Sequence, residues 1–161
     1  MHCEPTKEHQ WLKKFVGEWT SESECAMSPG KPNEKFTGSE AAHMVGDLWM
    51  VANGRGNMPG DGGEATMVLT LGYDPAKGKF VGTWFGSMMT TLWIYEGTLD
   101  PTGKILALHA EGPDMSQPGK TGKYRDSIEF KSDDHRVLTS AMLGEDGKWH
   151  EFMTAHYRRL K

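Results

Sequence analysis

After Gly17 the chain is broken at short intervals by turn signals: "DPAKG" at 74–78, "DPTG" at 100–103, "SDDH" at 132–135 and "EDG" at 145–147. Proline presets the backbone angle a turn needs, and Asp and Ser bond their own backbone, so each cluster marks a reversal. The runs between reversals alternate apolar with polar residues, the period of a strand with one buried face. Ten such runs can be counted, and 20 glycines and 8 prolines suit many short strands better than long helices. The expected fold is all-β: a ten-stranded, mainly antiparallel barrel. Only "PTKEHQWLKKF" has helical spacing, with Trp11 and Phe15 four apart and Pro5 suited to a first turn. No composition shift divides the 161 residues, so one domain is expected: a tail at 1–5, a helix at 6–16 and a barrel at 17–160.

Turn positions also predict which side chains share a face. Pairing Tyr73 with Phe80 sets Leu71 against Gly82 and Leu69 against Trp84. A turn at Met89–Thr90 then sets Trp84 against Tyr95, and "DPTG" sets Gly97 against Leu106. One face thus collects Met67, Leu69, Leu71, Tyr73, Phe80, Trp84, Trp93, Tyr95, Leu106 and Leu108, and is expected inside. The other still carries Val81, Phe85, Leu92 and Ile94, to be covered by the N-terminal helix or by a second copy in a homodimer.

In the last three strands the same counting puts Tyr124, Asp126, Ile128 and Phe130 inside. Val137, Thr139, Ala141 and Leu143 follow, then His150, Phe152, Thr154, His156 and Arg158. Lys123, Arg125, Glu129, Lys131 and Arg136 are left to water. Asp126 and His150 would share one row two strands apart, about 10 Å between backbones, close enough to converge on one small molecule. In "VGEWTSESECAM" Glu22 and Glu24 face water, while Ser21, Ser23 and Cys25 follow Trp19 on its own face and keep the wall there thin. Apolar walls with a few polar groups are the anatomy of a ligand pocket. The 11 methionines fit that reading, since thioethers adapt to irregular contents, although they also fill ordinary cores.

Several chemistries find no support. A net charge of −4 and a pI near 6.0 provide no footprint for nucleic acid. No apolar run reaches the length of a membrane span or signal core, and Cys3 and Cys25 form no metal or redox spacing, which suggests a cytoplasmic protein. His150 and His156 would stand about 20 Å apart along a strand, too far to hold one metal ion. "PGKTGK" lacks the first glycine of a phosphate loop, and Pro59 breaks the glycine pattern of a dinucleotide site at Gly54 and Gly56. Asp126 with His150 has no nucleophile beside it, so no catalytic residue is assigned and a binding protein is favoured over an enzyme.

"GYDPAKGKFVGTW", "YEGTLD", "KYRDSIEF" and "DGKWHEFMTAHYRR" resemble, in order and spacing, the bacterial domain-of-unknown-function family 1579, which implies a calycin-like barrel. Gly17-Glu18-Trp19 is similar to the lipocalin Gly-x-Trp signature. That likeness implies that Trp19 closes the barrel floor under an arginine of the last strand, here Arg158. Fatty-acid-binding and nitrobindin-type barrels, with ten strands, are nearer in architecture. The ligand expected on these grounds is a small apolar or amphipathic molecule. It would lie among Trp19, Ser21, Ser23, Trp84, Trp93 and Tyr95, with Tyr124, Asp126 and His150 as polar anchors. Two alternatives stay open: haem held by His150 or His156, as the nitrobindin likeness implies, and a plugged barrel that serves as a homodimer or partner-binding scaffold.

Overall fold

The computed structural model of the chain describes residues 1–26, 30–58 and 62–160. A one-and-a-half-turn helix, α1 (Lys7–Leu12), runs into a 3-10 turn at Lys13–Phe15. Ten strands follow: β1 (Gly17–Cys25), β2 (Glu34–Val45), β3 (Trp49–Asn57), β4 (Glu64–Asp74), β5 (Lys79–Gly86), β6 (Trp93–Leu99), β7 (Ile105–Pro113), β8 (Thr121–Ser132), β9 (His135–Leu143) and β10 (Trp149–Arg159). Every neighbouring pair is antiparallel, and β1 pairs with both β2 and β10, so the barrel is closed. Closure removes the unpaired edges that a sheet of this length would otherwise expose. Part of the expected loop at 57–63, including Pro59, lies outside the described residues. Pro5 precedes the helix rather than entering it; Thr6 is the N-cap, and its N–H donates to His9 Nδ1 at 2.9 Å.

The helix covers one end of the barrel and fills it. Leu12 and Phe15 are fully buried, and Trp11 and Phe15 pack edge-on against Phe130 with ring centroids 5.4 and 5.1 Å apart. Trp11 Nε1 donates to the Gly103 carbonyl and His9 Nε2 to that of Tyr73, tying the helix to two hairpin turns. Val81, Phe85, Leu92 and Ile94 therefore lie away from it. Phe85, Leu92 and Ile94 remain exposed on the outer wall, and the expectation that the helix covers them is corrected.

The predicted interior face from β4 to β7 is the observed one. Leu71, Phe80, Leu106 and Leu108 are fully buried, and Tyr73–Phe80, Leu71–Gly82 and Leu69–Trp84 pair as counted. Two hairpins differ by two residues: Trp84 pairs with Trp93, and Gly97 with Leu108. A slip of two keeps every side chain on its side.

Between β8 and β10 the prediction fails by single residues. Ser132 does pair with His135, but the ladder slips at Lys131 so that Phe130 faces Arg136 rather than Val137. A second irregularity falls between Glu151 and Met153. Each bulge inserts one residue and reverses the faces beyond it. On β9 the inward residues are Arg136, Leu138, Ser140 and Met142; Val137, Thr139 and Ala141 instead line a shallow groove of about 320 Å³ on the outer wall. On β10 the inward residues become Met153, Ala155 and Tyr157, and Thr154, His156 and Arg158 turn outward.

Candidate functional site

The closed end explains the Gly-x-Trp triplet. Gly17 has φ +129, a conformation other residues rarely adopt, and a Cβ there would meet the Arg159 guanidinium at 2.5 Å. Trp19 is fully buried and donates its indole N–H to the Phe15 carbonyl at 2.8 Å. The arginine across Trp19 is Arg159, not Arg158: it pairs with Trp19 in the ladder and stacks 4.2 Å from its ring. It also donates to the backbone carbonyls of Lys14, Val16 and Asp133. Arg158 is exposed, because the bulge in β10 shifts the inward register by one.

Arg136, expected in water, is 3% exposed inside the barrel. It reaches from β9 across β10 and β1 to an ion pair with Glu40 on β2. On the way its guanidinium lies 4.5 Å from the Trp19 ring, 4.9 Å from Phe15 and 4.2 Å from Tyr157. The pair thus spans the seam where the first and last strands meet. Burial pushes the Tyr157 hydroxyl up to about 12, with the Glu40 charge adding to it.

Above this floor the barrel is lined asymmetrically. From β1 to β3 the inward positions above it include Ser21, Ser23, Gly38, Ala52, Gly54 and Gly56, with Phe36 opposite Ser23. From β5 to β8 they include Trp84, Trp93, Tyr95 and Tyr124. Ser21, Ser23, Leu69, Trp84, Trp93, Asp126, Leu138 and Met153 all point inward, yet each keeps accessible surface, unlike the fully buried floor. The Trp93 ring lies where a Cβ on Gly112 would stand, so the glycine lets it lie flat along the wall, 4.9 Å from Tyr124. Its indole N–H donates to Met89 Sδ at 3.1 Å.

Asp126 sits in the middle of this wall. It accepts a hydrogen bond from the Tyr95 hydroxyl, and Ser140 stands directly opposite on β9. Burial raises its carboxyl above the usual range, and the neighbouring Ser140 and Tyr95 hydroxyls pull the other way. Burial, with the neighbouring Asp126, holds the Tyr95 hydroxyl far above its ordinary value. Ser140 was missed from sequence because the bulge hid its face.

The other expected anchors are placed differently. Tyr124 points inward, but its hydroxyl is taken by the Pro113 carbonyl at 2.6 Å. His150 does not join Asp126: it pairs with Met142, stands exposed at the open rim and bonds Asp146 at 3.0 Å. His156 is on the outer wall, stacked on His135 with Nδ1 and Nε2 3.0 Å apart. Neither histidine therefore reaches the interior where haem would lie, which corrects that alternative. Cys25 faces inward near the rim, its thiol pushed up by burial and by Glu34, so little of it is thiolate. Among the described residues no three His, Cys, Asp or Glu side chains could hold a metal, and no helix is long and apolar enough to cross a membrane.

Comparison with solved structures places this barrel among known ones. The crystal structure of Rv2717c from M. tuberculosis matches with a TM-score of 0.67 and 14% identity, covering 98% of this chain and all (100%) of that one. The S-type phycobiliprotein lyase CPES from Guillardia theta matches with a TM-score of 0.65 and 14% identity, over 96% of this chain and 93% of the lyase. At such identities the likeness is one of fold, here the calycin-like barrel. No curated protein matches the chain. The model of the family described as "Protein of unknown function (DUF1579)" matches residues 4–159, and the chain belongs to that family.

Proposed function

We propose that the protein binds one small apolar or amphipathic molecule, without covalent chemistry, in the open half of its barrel. The observation that carries this reading is the contrast between a fully buried floor and inward side chains above it that stay accessible. Trp84, Trp93 and Tyr95 offer aromatic surface, and Asp126 with Tyr95 and Ser140 offers one polar point in an apolar wall, the composition of a ligand pocket. A barrel of this fold also serves as a phycobiliprotein lyase.

Ser23→Phe tests the reading, because it puts a ring into the space. If the space exists, the variant folds with less than about 1 kcal/mol lost and no longer binds naphthylmethanol, a neutral aromatic probe followed by quenching of tryptophan fluorescence. A loss of about 1–3 kcal/mol, as overpacking of a filled core would give, sinks it. So does unchanged probe binding. Native mass spectrometry of the protein as purified would identify any ligand retained from the host.

A second reading concerns the outer wall. Phe85 and Ile94 are exposed on neighbouring strands, and Leu92 and Ile94 border a groove of about 610 Å³ with Trp149. Exposed apolar patches of this kind mark interfaces. If two copies pair through it, light scattering should show a dimer that Ile94→Glu converts to monomer; a monomeric wild type ends this reading.

A further inference from the structure

The ligand proposed above has a polar end whose chemistry the wall defines, and this inference rests on that binding reading. Asp126 is the only carboxyl at mid-height in the barrel, and no cation faces it among the described residues. Tyr95 from β6, Leu108 from β7, Ser140 from β9 and Met153 beyond it surround the group. Among the described residues the basic side chains on the inward face are Arg136 and Arg159, both at the floor, and Glu40 already occupies Arg136. Arg159 is committed to backbone carbonyls at the closed end. Among the described residues the interior therefore holds a carboxyl that one hydroxyl donates to, with a second hydroxyl opposite and no counter-charge.

Everything else in the open half favours positive charge. The faces of Trp84, Trp93, Tyr95 and Tyr124 are electron-rich and attract cations, tryptophan most strongly. Methionine sulfurs at Met67, Met89, Met142 and Met153 add polarisable surface without charge. An anion would meet the Asp126 carboxyl with the Tyr124 and Tyr95 hydroxyls both spent. A neutral carbonyl would leave the carboxyl and the aromatic faces without a partner charge.

We propose that the barrel selects a molecule with an aromatic or apolar body and a protonated nitrogen, which Asp126 receives as a carboxylate between Trp84 and Trp93. The ligand's cationic N–H then supplies the counter-charge that the wall lacks. Tyr95 keeps donating to the carboxylate and holds it in position.

Three probes of one shape test this: naphthylmethylamine, naphthylmethanol and naphthoate, each titrated into the intact protein near neutral pH by tryptophan quenching and by calorimetry. The amine should bind about tenfold or more tighter than the alcohol, the size of one charge-assisted hydrogen bond, with naphthoate weakest. In Asp126→Asn the amine should fall to the affinity of the alcohol, while the alcohol binds as in wild type and so shows the variant folded. Equal affinities for amine and alcohol, or a preference that survives Asp126→Asn, overturn the inference while leaving the pocket standing. If none of the three quenches, the binding reading itself falls, and this inference falls with it.

Discussion

Arg136→Ala should destabilise the barrel by about 3–5 kcal/mol in urea denaturation, the range for removing one partner of a buried ion pair. Two losses add. Glu40, itself inside the barrel, is left without its partner, and the guanidinium no longer covers Phe15, Trp19 and Tyr157. Because the pair bridges β9 to β2 over the β1–β10 seam, the damage falls on the joint that closes the sheet. Arg136 Nη1 makes no hydrogen bond among the described residues, so the aromatic faces rather than further polar partners surround that part of the cation. The double variant Arg136→Met with Glu40→Gln separates the two losses: it removes both charges and keeps the volume, and it should recover most of the stability. A loss under about 1 kcal/mol for Arg136→Ala would mean the pair acts like a surface salt bridge and not as a closure clamp.

That residue also shows where sequence reasoning reaches and where it stops. From β4 to β7 the faces could be read from turn positions because alternation there is sharp, and errors of two residues are harmless to parity. The role of Trp19 came instead from the likeness of Gly17-Glu18-Trp19 to the lipocalin signature, and the arginine that likeness implied lies one residue further on, at Arg159. On β9 both faces are mixed, Arg136, Leu138, Ser140 and Met142 on one and Val137, Thr139, Ala141 and Leu143 on the other. Hydrophobicity then favours the face that turns out to be the outer one, and a bulge of one residue carries no turn signal of its own. The faces of Arg136, Ser140 and Arg159, and the separation of His150 from Asp126, all follow from those two bulges. Asp126 keeps its expected inward position because the alternation of β8, with Tyr124, Ile128 and Phe130 on its face and Lys123, Arg125, Glu129 and Lys131 on the other, sets that face without reference to the bulges.

The last expected result concerns Asp126 and pH. Its carboxyl is raised in the folded barrel, chiefly by burial, relative to the unfolded chain, where a carboxylate titrates near about 3.9. Below that value both states hold the proton, and the contribution to stability is fully present. As pH rises, the unfolded chain releases its proton first, so the folded state binds more, and stability falls by up to about 1.4 kcal/mol per pH unit until the folded carboxyl titrates. Other carboxylates act in the opposite direction: Glu96, Asp100, Asp114 and Asp146 are lowered by their hydrogen bonds and contribute stability that is lost on acidification. Asp126→Asn leaves those four in place and removes only the group in question. The difference between variant and wild type, measured by denaturation across acid to neutral pH, should therefore be smallest at low pH and grow in favour of the asparagine as pH rises. A flat difference would show that Asp126 costs the empty barrel nothing. With naphthylmethylamine bound the order should reverse, since only the wild type gains a counter-charge. A side chain that weakens the empty protein and strengthens the filled one is placed for its ligand rather than for the fold.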